Sequence, residues 1–206
     1  MSTSRIPLFP LSIVLFPGQV LPLHIFERRY RLMTRHCIET ESPFGIIYTH
    51  EGEIAQTGCS AMIVKTLREY EDGRSDILTA GQQAFRLIRT HEEMPYFEAD
   101  VEYLEEDFNG TDPNVSLELE RLFNQCHRIL YEEDAPSFET EGGLSLAYHV
   151  GSELPVDTAF RQVLLELRSE AERQQRLVAR LAAWYPELQN RDRVRGKAGG
   201  NGHGKL

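Results

Sequence analysis

Between Arg5 and Glu27 the chain carries twenty-one residues without a formal charge, punctuated by Pro7, Pro10, Pro17 and Pro22. That length would suffice for a membrane-spanning helix or a secretory leader, and the prolines exclude a lipid-exposed helix. Each proline lacks a backbone donor, and the longest proline-free piece, residues 11–16, has only six residues, under two helical turns. A small-residue cleavage pattern is missing too, since the first alanine is Ala55. The run is therefore read as buried β-structure, with strands at residues 11–16 and 20–25 joined by a Pro17-Gly18 turn.

What surrounds this stretch must be a folded body. A length of 206 residues with 41% hydrophobic and 26% charged side chains fits one ordinary domain or two small ones. The net charge is −10, and the last eighteen residues hold five basic side chains against one acidic, so the remainder stands at −14. A duplex-binding surface is not expected of such a body. Its single lysine, Lys65, leaves arginine as the cation for anionic groups. Cys37, Cys59 and Cys126 are odd in number and far apart in sequence, which points to free thiols and a cytoplasmic location. The sequons at Asn109 and Asn114 then count as chance matches.

Beyond the uncharged run, Phe26, Tyr30, Met33 and Cys37 recur at helical spacing while Arg28, Arg29, Arg31 and Arg35 fall elsewhere, giving an amphipathic helix before Pro43. Strand signals follow at residues 44–49, 60–70, 77–81, 84–89 and 97–103, with a hairpin at Asp72-Gly73. In the last of these Phe97, Ala99, Val101 and Tyr103 alternate with Glu98, Asp100 and Glu102, as in a half-solvated antiparallel strand. A small mixed or antiparallel barrel is expected. Helical periodicity then begins at Asp112 as N-cap, with Pro113 in the first turn, and runs to about residue 133. A short helix near residues 144–150 follows, then one at 157–168 with Phe160, Val163, Leu164 and Leu167 on one face. Ser169-Glu170-Ala171-Glu172 opens a last helix, which Pro186 should end at Tyr185. The expected domains are a β-rich unit 1–112, a helical unit 113–188 and a flexible tail 189–206 rich in glycine. No internal repeat is present.

Several catalytic patterns are almost complete, and each fails at a residue its chemistry needs. Gly199 and Gly204-Lys205 have phosphate-loop spacing, but Leu206 replaces the hydroxyl that binds magnesium. His91-Glu92-Glu93-Met94-Pro95 opens like a zinc-protease helix, yet Pro95 stands where the second histidine belongs, so a surface loop is expected. Gly58-Cys59-Ser60-Ala61-Met62 approaches a nucleophile elbow, but Met62 replaces the second glycine, which leaves Ser60 as a strand residue. His36-Cys37 and Cys126-His127 lack a Cys-x-x-Cys anchor, and core packing of the cysteines with partly exposed histidines is expected instead. The row Glu98, Asp100, Glu102 is a solvated face. No cofactor and no metal are expected.

The ordered motifs resemble the amino-terminal substrate-recognition (LON) domain of ATP-dependent Lon proteases, also found as a stand-alone domain. They are Ile6-Pro7-Leu8-Phe9-Pro10-Leu11, Phe16-Pro17-Gly18, Leu21-Pro22-Leu23-His24-Ile25-Phe26-Glu27-Arg28-Arg29-Tyr30, Phe44-Gly45, Gly58-Cys59, Asp72-Gly73-Arg74, Gly81 and Phe85-Arg86. The later helices extend the similarity to about residue 188. Ala84 departs from it, standing where stand-alone members often have arginine. Full Lon proteases continue into an ATPase and a serine–lysine peptidase, whereas this chain runs into a glycine-rich tail.

The resemblance implies an α+β fold, a PUA-like β-rich pseudo-barrel with one embedded helix followed by a C-terminal helical bundle. It implies a non-enzymatic module that recognises unfolded or tagged polypeptide, as an adaptor or regulator of proteolysis alongside a protease or chaperone. Phe26, Arg28, Arg29 and Tyr30 match the signature, with helix packing the competing role for Phe26 and Tyr30, and Arg31 and Arg35 join them at the candidate polypeptide site from the exposed side of the same helix. An RNA-binding barrel using those arginines and a hydrolase with an unrecognised site are the alternatives.

Overall fold

The computed structural model describes residues 3–138 and 145–199, the last five by backbone alone. Its strands are β1 (Thr3–Leu11), β2 (Val20–Ile25), β3 (Phe44–His50), β4 (Glu53–Glu69), β5 (Ser75–His91) and β6 (Glu98–Tyr103). Its helices are α1 (Arg28–Thr40), α2 (Pro113–Tyr131), α3 (Leu146–Glu153), α4 (Thr158–Glu166) and α5 (Glu170–Gly199). The sheet order is β2-β5-β4-β3-β1-β6, and β6 pairs again with β5. Strands β5, β4, β3, β1 and β6 thus close a ring, while β2 lies alongside the first half of β5. Every pairing is antiparallel except β1 with β3. The architecture is α+β.

Alternation along the ring strands separates two apolar clusters. Ile6, Leu8, Ile47, Phe85, Ala99 and Val101 pack together on one face. Phe85 fits only because Gly45 and Gly58 lie beside it: a Cβ at either would stand 2.8 or 2.5 Å from its ring. The opposite face, with Phe9, Ile46, Cys59 and Ala84, joins α1 and the later helices in one larger core that includes Leu122, Leu164 and Leu177. Burying these side chains is the main stabilising term, at roughly 1.5–3 kcal/mol each.

The uncharged run forms strand earlier than its pattern suggests. Strand β1 ends at Leu11, and residues 12–16 form a loop that buries Val14, Leu15 and Phe16. Pro7 and Pro10 are accommodated within β1, where they pair with Glu98 and Ile47. Strands β4 and β5 are each seventeen residues long: β5 merges the two pieces expected at 77–81 and 84–89, and β4 starts seven residues before the strand expected at 60–70. Three of the register shifts in the β4 and β5 ladders fall at Val64, Leu67 and Ile88, and these extra residues are 56%, 50% and 52% exposed. Bulges therefore account for three of the large apolar side chains at the surface.

Asp112 caps α2, its carboxylate accepting from the Asn114 amide, and Asp157 caps α4 through the Phe160 amide. In α4 the buried residues are Gln162, Leu164 and Leu165 rather than the expected stripe, because Gln162 is turned inward to donate to the Thr57 carbonyl at 3.0 Å. Pro186 does not end α5. The carbonyl four residues before it belongs to exposed Ala182, where water can replace the missing donor, and Leu177, Leu181 and Leu188 anchor the helix on both sides. Residues 189–199 are accordingly helical rather than tail, whereas 200–206 and Leu144 lie outside the described residues. Among the described residues no helix is long and apolar enough to cross a membrane.

Candidate functional site

Strand β2 is the end of the sheet, and its hydrogen-bonding phase follows from one contact. The Gly81 amide donates to the Gln19 carbonyl at 2.9 Å, and Val20 to Ile25 then pair in unbroken register with Ala80 to Ser75. In an antiparallel ladder alternate residues face the partner. Leu21, Leu23 and Ile25 thus bond to β5, while the N–H and C=O groups of Val20 and His24, with the Pro22 carbonyl, face outward. Pro22 occupies a position where its missing donor costs the ladder nothing. Among the described residues no hydrogen bond reaches these outer groups.

Across from β2, pairing of β1 with β6 stops at Pro7, apart from the Leu8 amide donating to Phe97 O at 2.7 Å. Between the end of β1 and the end of β2 lies a groove of about 270 Å³ lined by Phe9, Leu11, Leu23 and Ile25, with Phe26 and Arg29 also along it. Its floor is apolar: Phe9 packs on Tyr30 with ring centroids 4.1 Å apart.

The six residues expected at a polypeptide site take different positions. Phe26 precedes α1 rather than joining its apolar face, is 60% exposed, and stacks on His24 at 5.9 Å. Tyr30 is interior, and burial raises its hydroxyl pKa. Arg29 pairs with Glu27 at 2.9 Å and lies over the Tyr30 ring. Arg31 donates to the Asp72 carbonyl at 2.5 Å, tying α1 to the β4–β5 hairpin. Arg28 and Arg35 are exposed, make no ion pair among the described residues, and line a second groove of about 370 Å³ facing Glu71 and Asp72. Phe26, Arg28 and Arg35 are therefore the three free to meet a partner.

Beside Phe26 is a polar cluster that the sequence did not single out. His24 Nδ1 lies 2.6 Å from Asp76 Oδ1, and the Tyr70 hydroxyl donates to Asp76 Oδ2 at 2.8 Å. A carboxylate only accepts, so Nδ1 carries the proton and Nε2 is left free. The hydrogen bond from His24, followed by that from Tyr70, holds the Asp76 carboxyl below its usual range. Arg68 and Arg74 stand over the Tyr70 ring at 4.6 and 5.2 Å. The cross-strand pairings His24↔Asp76 and Arg68↔Asp76 bring these residues together.

Among the described residues the incomplete catalytic motifs assemble no nucleophile with its base. Ser60 Oγ donates to the Gln83 carbonyl at 3.0 Å and accepts from the Gln83 amide. His91 is not on a surface loop: it ends β5, is buried, and lies 2.8 Å from Asp100, because β6 places that carboxylate beside it. The Glu98, Asp100, Glu102 row is half-buried rather than solvated, with Asp100 facing His91 and Arg5 and Glu102 paired with Arg86. All three cysteines are buried, as is His127, while His36 is exposed. Among the described residues no group of three or more His, Cys, Asp or Glu side chains is placed to hold a metal.

Sequence periodicity also missed Arg173, which is fully buried. Its guanidinium donates to Glu170 at 3.0 Å, to Tyr148 Oη and Leu167 O at 2.8 Å, and pairs with Glu106. Glu170 in turn accepts from Ser145 Oγ and the Ala147 amide, so the cluster fixes α3, α5 and the segment after β6 as one unit. Its signal in sequence was only a charged pair at i, i+3 in the first turn of α5.

The same architecture occurs in solved relatives. A Lon N-terminal domain protein from Xanthomonas campestris superposes with a TM-score of 0.68 at 27% identity, covering 85% of this chain and 98% of that one. The N-terminal domain of the Mycobacterium avium complex Lon protease gives 0.63 over 87% and 98% at 13% identity, a likeness of fold alone. Lon protease 2 of Herpetosiphon aurantiacus is 26% identical over 198 residues, and that of Syntrophobacter fumaroxidans 25% over 178. The chain spans only 23% and 22% of their lengths. The family model described as the ATP-dependent protease La (LON) substrate-binding domain matches residues 5–183. With nearly the whole barrel, the embedded helix and the helical part as far as the first half of α5 inside that match, the chain belongs to the LON substrate-binding domain family.

Proposed function

We propose that this chain is a non-catalytic polypeptide-binding module that presents unfolded or tagged substrates to a protease or chaperone, as an adaptor or regulator of proteolysis. The observation that carries the reading is the open outer edge of β2 beside an apolar groove. Backbone donors and acceptors on an edge bind extended chains with little regard to sequence, and neighbouring apolar surface adds affinity. A substrate-recognition domain needs that breadth. The family and the solved Lon N-terminal domains support it at the level of substrate binding. Ser60 and His91, committed to backbone and to Asp100, supply no competing chemistry.

Fluorescence anisotropy with a labelled, chemically unfolded protein tests the reading: saturable binding with a shallow salt dependence is expected. A steep salt slope with RNA and no binding of unfolded protein would replace it with nucleic-acid recognition. Sustained casein or ATP hydrolysis by a homogeneous sample would overturn its non-catalytic part.

A further inference from the structure

We propose that the ligand binds as an added strand on the outer edge of β2, in a register fixed by Val20 and His24, with acidic residues directed toward Arg28. This inference rests on the polypeptide-binding reading and specifies its mode. The sheet offers a second open edge at residues 62–69 of β4, where β3 no longer pairs, but bulges at Val64 and Leu67 break its register and Lys65 and Arg68 line it. Strand β2 has no bulge. Its outward donors are the amides of Val20 and His24 alone, because Pro22 between them has none. An extended chain can therefore make one full pair of backbone hydrogen bonds at each of those residues, with a single bond to the Pro22 carbonyl between them.

That restriction selects the occupant. A short segment satisfies both positions, whereas a long continuous ladder, as between copies of this protein, is interrupted at Pro22. Alternation gives the segment its chemistry. Side chains on the Leu23 side enter the groove of Phe9, Leu11 and Phe26 and should be apolar. Arg28, three residues past the end of β2, lines the adjoining groove and makes no ion pair among the described residues, so the complementary side chain of a segment that runs on past β2 is a carboxylate.

The test uses the full chain, a synthetic peptide of alternating valine and glutamate, and its valine–lysine counterpart. The acidic peptide should slow hydrogen exchange of the Val20 and His24 amides at least about tenfold, leaving Leu21 and Leu23 unchanged because β5 already holds them. The lysine peptide should bind at least about fivefold more weakly, Arg28→Glu should reverse that preference, and Phe26→Ala should cost about fivefold. Binding of peptide or unfolded protein without protection of Val20 and His24 overturns this mode and leaves the functional reading standing. Equal affinity for the two peptides, or protection of those amides only through dimerisation seen in sedimentation, also overturns it. Absence of binding by every peptide and by unfolded protein overturns both.

Discussion

Replacing Arg173 by methionine keeps most of the side-chain volume and removes the charge, which isolates the electrostatics of the buried cluster. Arg173 is fully buried, Glu170 is 2% exposed, and Glu106 is 20% exposed. Without the guanidinium both carboxylates lose their cation, and the Leu167 carbonyl and Tyr148 hydroxyl lose a donor. Breaking a buried pair from one side costs about 3–5 kcal/mol. For a chain of this length each kcal/mol moves Tm by roughly 2–4 °C, so a fall of about 6–20 °C is expected in thermal unfolding followed by circular dichroism. The pH dependence has a definite sign. Burial already raises the Glu106 pKa in the intact protein, and without the Arg173 cation it is raised further in the folded state. A carboxyl raised on folding binds more protons in the native state, so stability falls as pH rises through the ordinary carboxylate range toward the raised value. The deficit should be smaller at pH 5 than at pH 8. A loss below about 1 kcal/mol, or a deficit independent of pH, would refute the role assigned to the cluster.

Gly81→Ala should destabilise by about 3 kcal/mol or more in urea titration, since its Cβ would stand 2.1 Å from the Phe16 carbonyl oxygen, a backbone atom that cannot yield cheaply; wild-type stability would mean that the loop before β2 is loosely held. Burial pushes the Cys37 and Cys126 thiols up to about 11 and raises Cys59 as well. None should react with a thiol reagent at pH 7.5 on the timescale on which the unfolded chain reacts completely, and rapid native labelling would contradict this. The hydrogen bond from His91 holds the Asp100 carboxyl below its usual range. Its contribution is present at neutral pH and lost only as pH falls through that depressed value, and NMR titration of Asp100 in a His91→Phe variant should return the pKa toward the ordinary one.

Strong local signals survived into the structure. Asp112 with Pro113, Asp157 and the turn at Asp72-Gly73 were legible because caps and turns depend on the residues that form them. Strand β2 and helix α1 were legible too, apart from Phe26, whose spacing matched the helix although it lies two residues before its start. The full lengths of β4 and β5 were not legible: residues 53–59 of β4 precede the expected strand, and β5 was broken at Gln82-Gln83, where the β4–β5 register shifts between Cys59 and Ala61. Nor was the passage of α5 through Pro186, which depends on Leu188 being buried beyond it.

The division follows range of interaction. Residue order alone determined a folded body, an apolar proline-punctuated start that cannot be a lipid-exposed helix, the change from strand to helix near Asp112, and enough ordered motifs to indicate the family. Tertiary structure alone decided which edge of the sheet stays open, because that depends on β6 returning to β5 and leaving β2 outside the ring. It likewise decided which arginines are free. Arg28, Arg29, Arg31 and Arg35 look alike in sequence, but Arg29 meets Glu27 and Arg31 meets Asp72, forty-one positions away, while Arg28 and Arg35 meet no carboxylate among the described residues. A side chain's availability is set by what the fold places within a few ångströms of it, and for contacts that distant the local pattern holds no record.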